Sequence, residues 1–285
     1  MKTLPLWFRA IVRVVSAVPV LGRIFVWSLF WRLGPAVAVR ASEQSFHAKA
    51  RVLDLNGVVG YEWGSGEKTV LLVHGWQSRA SRFTAIGEAL LSRGYTVVAF
   101  DAPGNGDSPG NRTHAYDYVD AIRELGRQRG EFEAVVAHSF GAVATFIAAR
   151  GGVRTKRIVT IAGVHDFASI VRDFGVAVGL GAGGVRRLRT SIERWARARS
   201  IDAWRDVVAE LDPTDTETPL LVVHDSGDRE VALEQAMQIV EAHTGAVETL
   251  ITDGLGHNRV LSEPDVVERV VRFVASPIGR ELPTR

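Results

Sequence analysis

The sequence predicts an α/β fold: a mostly parallel sheet of about eight strands begun by an antiparallel hairpin, helices on both faces, a helical cap insertion and an N-terminal helical arm. Three observations predict it. From residue 51 onward, short apolar runs alternate with stretches of helical period, the pattern of parallel strands covered on both sides. Asn56-Gly57 separates two strand-like runs, a strong signal for a two-residue hairpin. The composition, 46% hydrophobic and 23% charged over 285 residues, supplies a sizeable core and excludes a disordered chain. Residues 1–45 form the arm and residues 46–285 one domain, with the cap at about 164–218.

The arm is chemically distinct. Residues 1–40 hold Lys2, Arg9, Arg13, Arg23, Arg32 and Arg40 and no acid, a charge of +6; the other 28 basic and 32 acidic residues leave −4 on the remainder. Of the 30 residues from Leu4 to Leu33, 21 are apolar, and Trp7, Phe8, Phe25, Trp27, Phe30 and Trp31 are among them. Membrane surfaces select basic, aromatic-rich apolar segments. The uncharged runs Val14–Gly22 and Ile24–Trp31 fall far short of the roughly 20 residues of a bilayer span. Pro5 and Pro19 interrupt the helix, and Arg9, Arg13 and Arg23 interrupt any secretory apolar region. The arm is therefore expected to lie on a membrane surface, in a cytoplasmic protein held peripherally at the inner face. The competing expectation is that it packs on its own domain or on a second copy in a homo-oligomer. With an acidic body and no nucleic-acid motif, no nucleic acid is expected as partner.

After the arm, Arg51–Leu55 and Val58–Trp63 read as the hairpin strands. Thr69–Val73, Tyr95–Phe100, Ala134–Ala137, Arg157–Ala162, Leu220–His224 and Val247–Thr252 read as buried strands. Between them lie helical patterns at Ser81–Arg93, Thr113–Arg129, Phe140–Arg150 and Val231–His243. A last helix spans about Pro264–Ala275, with Ser262 and Asp265 in capping-box spacing. More than 50 residues between Gly163 and Leu220 lack a clear strand. Compact domains rarely hold so long a structureless loop, so this stretch is read as a helical cap. It carries Arg186, Arg187, Arg189, Arg194, Arg197 and Arg199, either a solvated helix face or a grip for an anionic carrier such as coenzyme A. Gly179-Leu-Gly181-Ala-Gly183-Gly184 matches a dinucleotide fingerprint, but no strand–turn–helix unit surrounds it, so no cofactor is expected. The absence of cysteine excludes thiol nucleophiles and disulfides, and no ligand spacing implies a metal.

The stretch that carries chemistry is Val135-Val136-Ala137-His138-Ser139-Phe140-Gly141-Ala142. A buried strand runs into a helix through a tight turn with serine at its apex. Small residues two before and two after, Ala137 and Gly141, let the backbone fold sharply and expose the hydroxyl. A serine alone is a weak nucleophile and needs a base and an orienting acid. His257, in a glycine-rich loop past the last strand, is the base; the bland reading is a surface histidine. Asp228, past the preceding strand, is the expected acid, with Asp225 and Asp166 as alternatives. Ser139 itself has a bland reading as a helix N-cap.

The motifs His74-Gly75-Trp76, Asp101-Ala-Pro-Gly104-Asn-Gly106-Asp-Ser108, the Ser139 turn and the Asp228 and His257 loops occur in the order found in α/β-hydrolase-fold serine hydrolases. From about residue 50 to its end the chain resembles this esterase- and lipase-like superfamily, although Ala137 replaces the first glycine of G-x-S-x-G. The resemblance implies an oxyanion hole made by the backbone N–H groups of Trp76 and Phe140. His138 is expected to line the wall beside the nucleophile and His74 to hold the turn, either one within reach of substrate. The expected partner is a small acyl ester or thioester, lipophilic if the arm and cap serve it. Two alternatives remain: an acyl-CoA thioesterase or acyltransferase, and a non-enzymatic ligand-binding member of the fold.

Overall fold

The computed structural model describes residues 5–212, 215 and 217–277. Two helices come first, α1 (Leu6–Ala17) and α2 (Pro19–Trp31). Val18 between them is extended (φ −74°, ψ 122°), as expected of a residue before proline, and this turns the chain back on itself. At Gly22 a Cβ would stand 2.6 Å from the Val15 carbonyl oxygen, so only glycine permits this close hairpin of helices. A short helix α3 (Gln44–His47) leads to the sheet.

The sheet elements follow as β1 (Arg51–Leu55), β2 (Val58–Trp63), β3 (Thr69–Val73), α4 (Thr84–Leu91), β4 (Thr96–Asp101), α5 (Ala115–Arg129), β5 (Ala134–His138), α6 (Phe140–Arg150) and β6 (Ile158–Ile161). Then come α7 (Phe167–Val178), α8 (Ala182–Arg197), β7 (Leu220–Asp225), α9 (Leu233–Ala242), β8 (Val247–Thr252), α10 (Gly256–Arg259) and α11 (Pro264–Ala275). The eight strands stand in the order β1-β2-β4-β3-β5-β6-β7-β8. Only β2 runs against its neighbours; every other pairing is parallel. Asn56 and Gly57 both have positive φ (57° and 88°), the two left-handed residues of a primed hairpin turn.

Because β3 lies between β4 and β5, Val73 pairs with Ala137, and the segments leaving these two strands emerge side by side. That register sets His74-Gly75-Trp76 against Ser139. Alternate strand residues feed two cores. Leu71, Val98 and Val135 face α5 and α6, while Val70, Leu72, Val97 and Val136 lie on the side of α4 and α11. All residues of β3, β4, β5 and β7 are buried. The last strand departs from its expected burial. β8 is an edge strand, and none of its residues is fully buried: Thr249 and Ile251 are exposed and the other four are half-buried. The expected capping box is also not formed. α11 starts from Glu263, held extended by Pro264, and the Ser262 hydroxyl instead donates to the Arg259 carbonyl (3.1 Å).

The long break between β6 and β7 contains α7 and α8 and an irregular return. The Arg150 guanidinium clamps that return by donating to the carbonyls of Asp206 (2.6 Å), Val208 (3.1 Å) and Glu210. The arm packs on these helices. Phe30 meets Phe174 and Phe167 with ring centroids 5.0 and 5.9 Å apart, and Trp31 lies 5.7 Å from Trp195. Arg187 of α8 donates to the Ser16 carbonyl. Beyond α2, the Leu33 N–H donates to the Asn111 carbonyl (2.9 Å), tying the arm to the loop after β4. One face of the arm therefore packs on its own domain, the second of its expected fates. No described helix is long and apolar enough to cross a membrane.

Candidate active site

β5 enters α6 through Ser139, whose φ of 53° and ψ of −122° lie outside the regions open to ordinary L-residues. A Cβ at Gly141 would stand 2.5 Å from the Val73 carbonyl oxygen, so this glycine lets α6 begin directly against β3. The serine makes no side-chain cap to α6. Its Oγ–H instead donates to His257 Nε2 at 3.0 Å.

His257 lies on the one-turn helix α10, beyond β8. Its Nδ1–H donates to Asp228 Oδ2 at 2.7 Å, which leaves Nε2 as the acceptor facing Ser139. The Asp228 side chain is fully shielded, and its second oxygen accepts from the N–H groups of Glu230 (2.7 Å) and Val231 (3.1 Å). Burial pushes its carboxyl up. The hydrogen bond and charge of His257, with those two N–H groups, outweigh burial and hold it below the usual carboxylate range. An ionised acceptor-only carboxylate of this kind fixes one imidazole tautomer.

The two rival acids are occupied elsewhere. Asp225 is buried and accepts from the Gly256 (2.8 Å), Leu255 (2.9 Å) and Gly227 (3.0 Å) N–H groups and from the Thr252 hydroxyl (2.8 Å). Burial raises its carboxyl, but these four donors win and lower it. Asp225 therefore pins the loop that carries His257 to the end of β7. Asp166 caps α7, accepting from the Ser169 N–H at 2.7 Å.

The remaining histidines are placed differently from one another. His74 is completely buried and faces no cleft. Its Nε2 accepts from the Ala102 N–H (2.9 Å), and its Nδ1–H donates to the Gly75 carbonyl (2.6 Å). His138, expected on the substrate wall, is 2% exposed and lies against His257, with ring centroids 4.7 Å apart. Its Nε2–H donates to the backbone carbonyl of His257 at 2.9 Å. Desolvation, with help from the neighbouring His257, lowers its pKa to about 3, so it is a neutral tether rather than a wall. The cause is register: in a strand buried on both faces, the residue before the turn points into the molecule.

The loop from His74 to Trp76 is seated by β4. Asp101 Oδ1 accepts from the Ala80 N–H (2.7 Å) and Oδ2 from the Asp107 N–H (2.8 Å), so one buried carboxylate braces two loops. Gly75 lies against the serine, where a Cβ would come within 2.8 Å of Ser139 Cβ. The Trp76 and Phe140 rings are 5.5 Å apart. Two supporting residues carried no clear signal in the sequence. Tyr118 of α5 donates its hydroxyl to the Gly75 carbonyl (3.1 Å), yet in sequence it is only part of a periodic helix face. His224 is fully buried; its Nε2 lies 3.0 Å from the Val231 carbonyl and 3.8 Å from Asp228 Oδ2. A histidine inside an apolar strand was the available clue.

In the cap, the glycine-rich fingerprint spans the junction of two helices: Gly179 ends α7 in a left-handed conformation, Gly181 precedes α8, and Gly183 and Gly184 lie in its first turn. Several cap arginines already have partners. Arg189 lies over Trp204 (4.1 Å), Arg199 over Trp195 (4.5 Å), and Arg187 reaches α1.

An eight-stranded sheet with one antiparallel strand, and a strained serine turn between its fifth strand and the next helix, define an α/β-hydrolase fold. Residues 70–270 match the model of the alpha/beta hydrolase family, and the chain belongs to that family. Among solved structures it is similar to a Pyrococcus furiosus esterase, with 19% identity over 87% of this chain and 98% of that one and a TM-score of 0.63. It also resembles the mouse alpha/beta hydrolase domain-containing protein 10 (15% identity, 79% and 96% coverage, TM-score 0.60). A Paleococcus ferrophilus monoacylglycerol lipase shares the fold as well (18% identity, 76% and 98% coverage, TM-score 0.56).

Proposed function

We propose that this protein is a serine hydrolase that cleaves a carboxylic ester or thioester through an acyl-enzyme. The observation that carries the reading is the file Ser139 Oγ–His257–Asp228, joined at 3.0 and 2.7 Å. His257 Nε2 takes the Ser139 proton as Oγ attacks the carbonyl carbon. The backbone N–H groups of Trp76 and Phe140 hold the oxyanion, and Asp228 stabilises the imidazolium. Collapse breaks the ester bond, and His257 gives its proton to the departing alcohol or thiol. Water, deprotonated by His257, then attacks the acyl carbon and releases the acid and free serine.

A lipophilic acyl group suits the apolar surroundings of the turn. The Trp76 and Phe140 rings meet edge to face beside it, and Phe140 and Val164 are buried next to it in the chain's core. The engaged cap arginines give an anionic carrier less to hold, so plain esters are favoured over coenzyme A thioesters. The test is Ser139→Ala with nitrophenyl esters of graded chain length and matched acyl-CoA. Hydrolysis is expected to fall by about 10³-fold or more, and a fluorophosphonate to label the native chain but not the variant. A native chain that neither turns over esters nor takes the label is a binding member of the fold, and the reading fails.

A further inference from the structure

The arm satisfies only one of its two faces. The inner face, with Val12, Val26, Phe30 and Trp31, is buried on the body. Along α1 the outer arc exposes Leu6 (80%), Trp7 (66%), Ile11 and Val14 (70%), and around the turn and the start of α2 it exposes Val18, Val20, Leu21 (65%) and Ile24. These are eight of the twelve exposed large apolar side chains among the described residues, so the surplus is a local patch rather than ordinary scatter. Trp7, Ile11 and Val14 recur at helical spacing and form one stripe along α1, with Val18 exposed at the turn that follows. Arg13 and Arg23 are exposed beside it, and no acid occurs before Glu43, which is buried and bound by Arg82.

We propose that the outer face of the α1–α2 hairpin docks on an anionic lipid surface, lying in the plane of the interface. Charge decides the occupant. A second copy meeting this face symmetrically would set the same uncompensated cations against each other, whereas acidic headgroups neutralise them. Length decides the depth. Helices of 12 and 13 residues rise about 18–20 Å, well short of a roughly 30 Å hydrocarbon core, so the hairpin lies on the bilayer with its aromatic and aliphatic face immersed. The packing of the inner face on α7 and α8 then fixes the body to the membrane with the cap at the lipid side. This proposal rests on the arm alone and does not depend on the chemistry at Ser139.

The absence of cysteine provides a clean test. Val14→Cys and, as a control on the far face of the domain, Ser92→Cys are each labelled with an environment-sensitive fluorophore. They are titrated with vesicles of phosphatidylcholine alone or containing 30 mol% (about one lipid in three) phosphatidylglycerol, a density that sets the local surface potential. Only the Val14 label should shift to the blue, and only with the anionic vesicles. Co-sedimentation of the unlabelled chain should fall about tenfold or more for Arg13→Glu/Arg23→Glu and for Trp7→Ser/Ile11→Ser/Val14→Ser. Turnover of a soluble short-chain ester should be unchanged in both variants, which separates lost docking from lost folding. Three results overturn the proposal: no binding to anionic vesicles, equal binding to neutral ones, or a dimer in solution that the triple serine variant dissociates.

Discussion

The loops at the C-terminal edge of the sheet and the N-terminal arm present opposite solutions to the same accounting. Around Ser139 the acids and histidines of the loops each have a defined partner. Asp225 takes four donors, Asp228 three, and even His138 is spent on a carbonyl. In the arm the apolar groups exceed what the fold can bury, so half of them face outward. The lesson is that apolar content alone does not determine burial. A segment apolar on all sides is buried only where neighbours exist on all sides.

The sharpest way to break this comparison is Asp228→Asn against Asp225→Asn. The first should lower ester turnover by about 10³–10⁴-fold with the fold intact, because the imidazole loses its tautomer and its counter-charge. The second should act mainly on stability, costing on the order of 1–3 kcal/mol in urea unfolding, as buried N–H groups lose charged acceptors. If Asp225→Asn abolished turnover at full stability, the assignment of acid and pin would be reversed.

Next in size is the inner face of the arm. Trp31→Ala should cost about 3–5 kcal/mol, because it empties an aromatic contact with Phe30, Phe167 and Trp195. Removing residues 1–40 altogether would bare the cap aromatics, so point substitutions report on the arm more cleanly than deletion. Smaller again is the acid limb of stability. Asp225 and Asp228 both titrate below their ordinary value in the fold. Their contribution is therefore present above the unfolded value near pH 4 (about 3.9) and is lost as pH falls through the lower folded values. Either asparagine variant should flatten unfolding free energy against pH in that acid window and leave its slope near neutrality alone. The smallest expected effect is Leu21→Ser on the outer face, within about 0.5 kcal/mol of native stability. A larger loss there would mean that the outer face is packed after all.

Much of this was legible in advance. Patterning located all eight strands: the central ones are continuous apolar runs because they are buried on both faces, the hairpin announces itself through Asn56-Gly57, and β8 follows as a short β-rich run although it lies at the edge. Ser139, Asp228 and His257 stood out by chain order and by position just past strand ends. The misassigned details have a common origin. Whether β8 is central or at an edge, and whether His138 faces substrate or supports His257, depends on neighbours far away in the chain. Ser262 matched a capping pattern, but Pro264 moved the helix start by one residue and left that pattern unused.

By itself, then, the sequence determined local chemistry: which segments are strands, where the backbone must turn sharply around small residues, and that a +6 apolar arm precedes a −4 body. Only the tertiary structure decided which of three aspartates meets His257 and which face of the arm is left over. Those choices depend on contacts across tens to more than a hundred residues. Asp228 lies 29 residues from its histidine and His257 lies 118 from its serine. Hydrogen bonds and packing at such separations follow from how the sheet orders its strands, which no local pattern encodes.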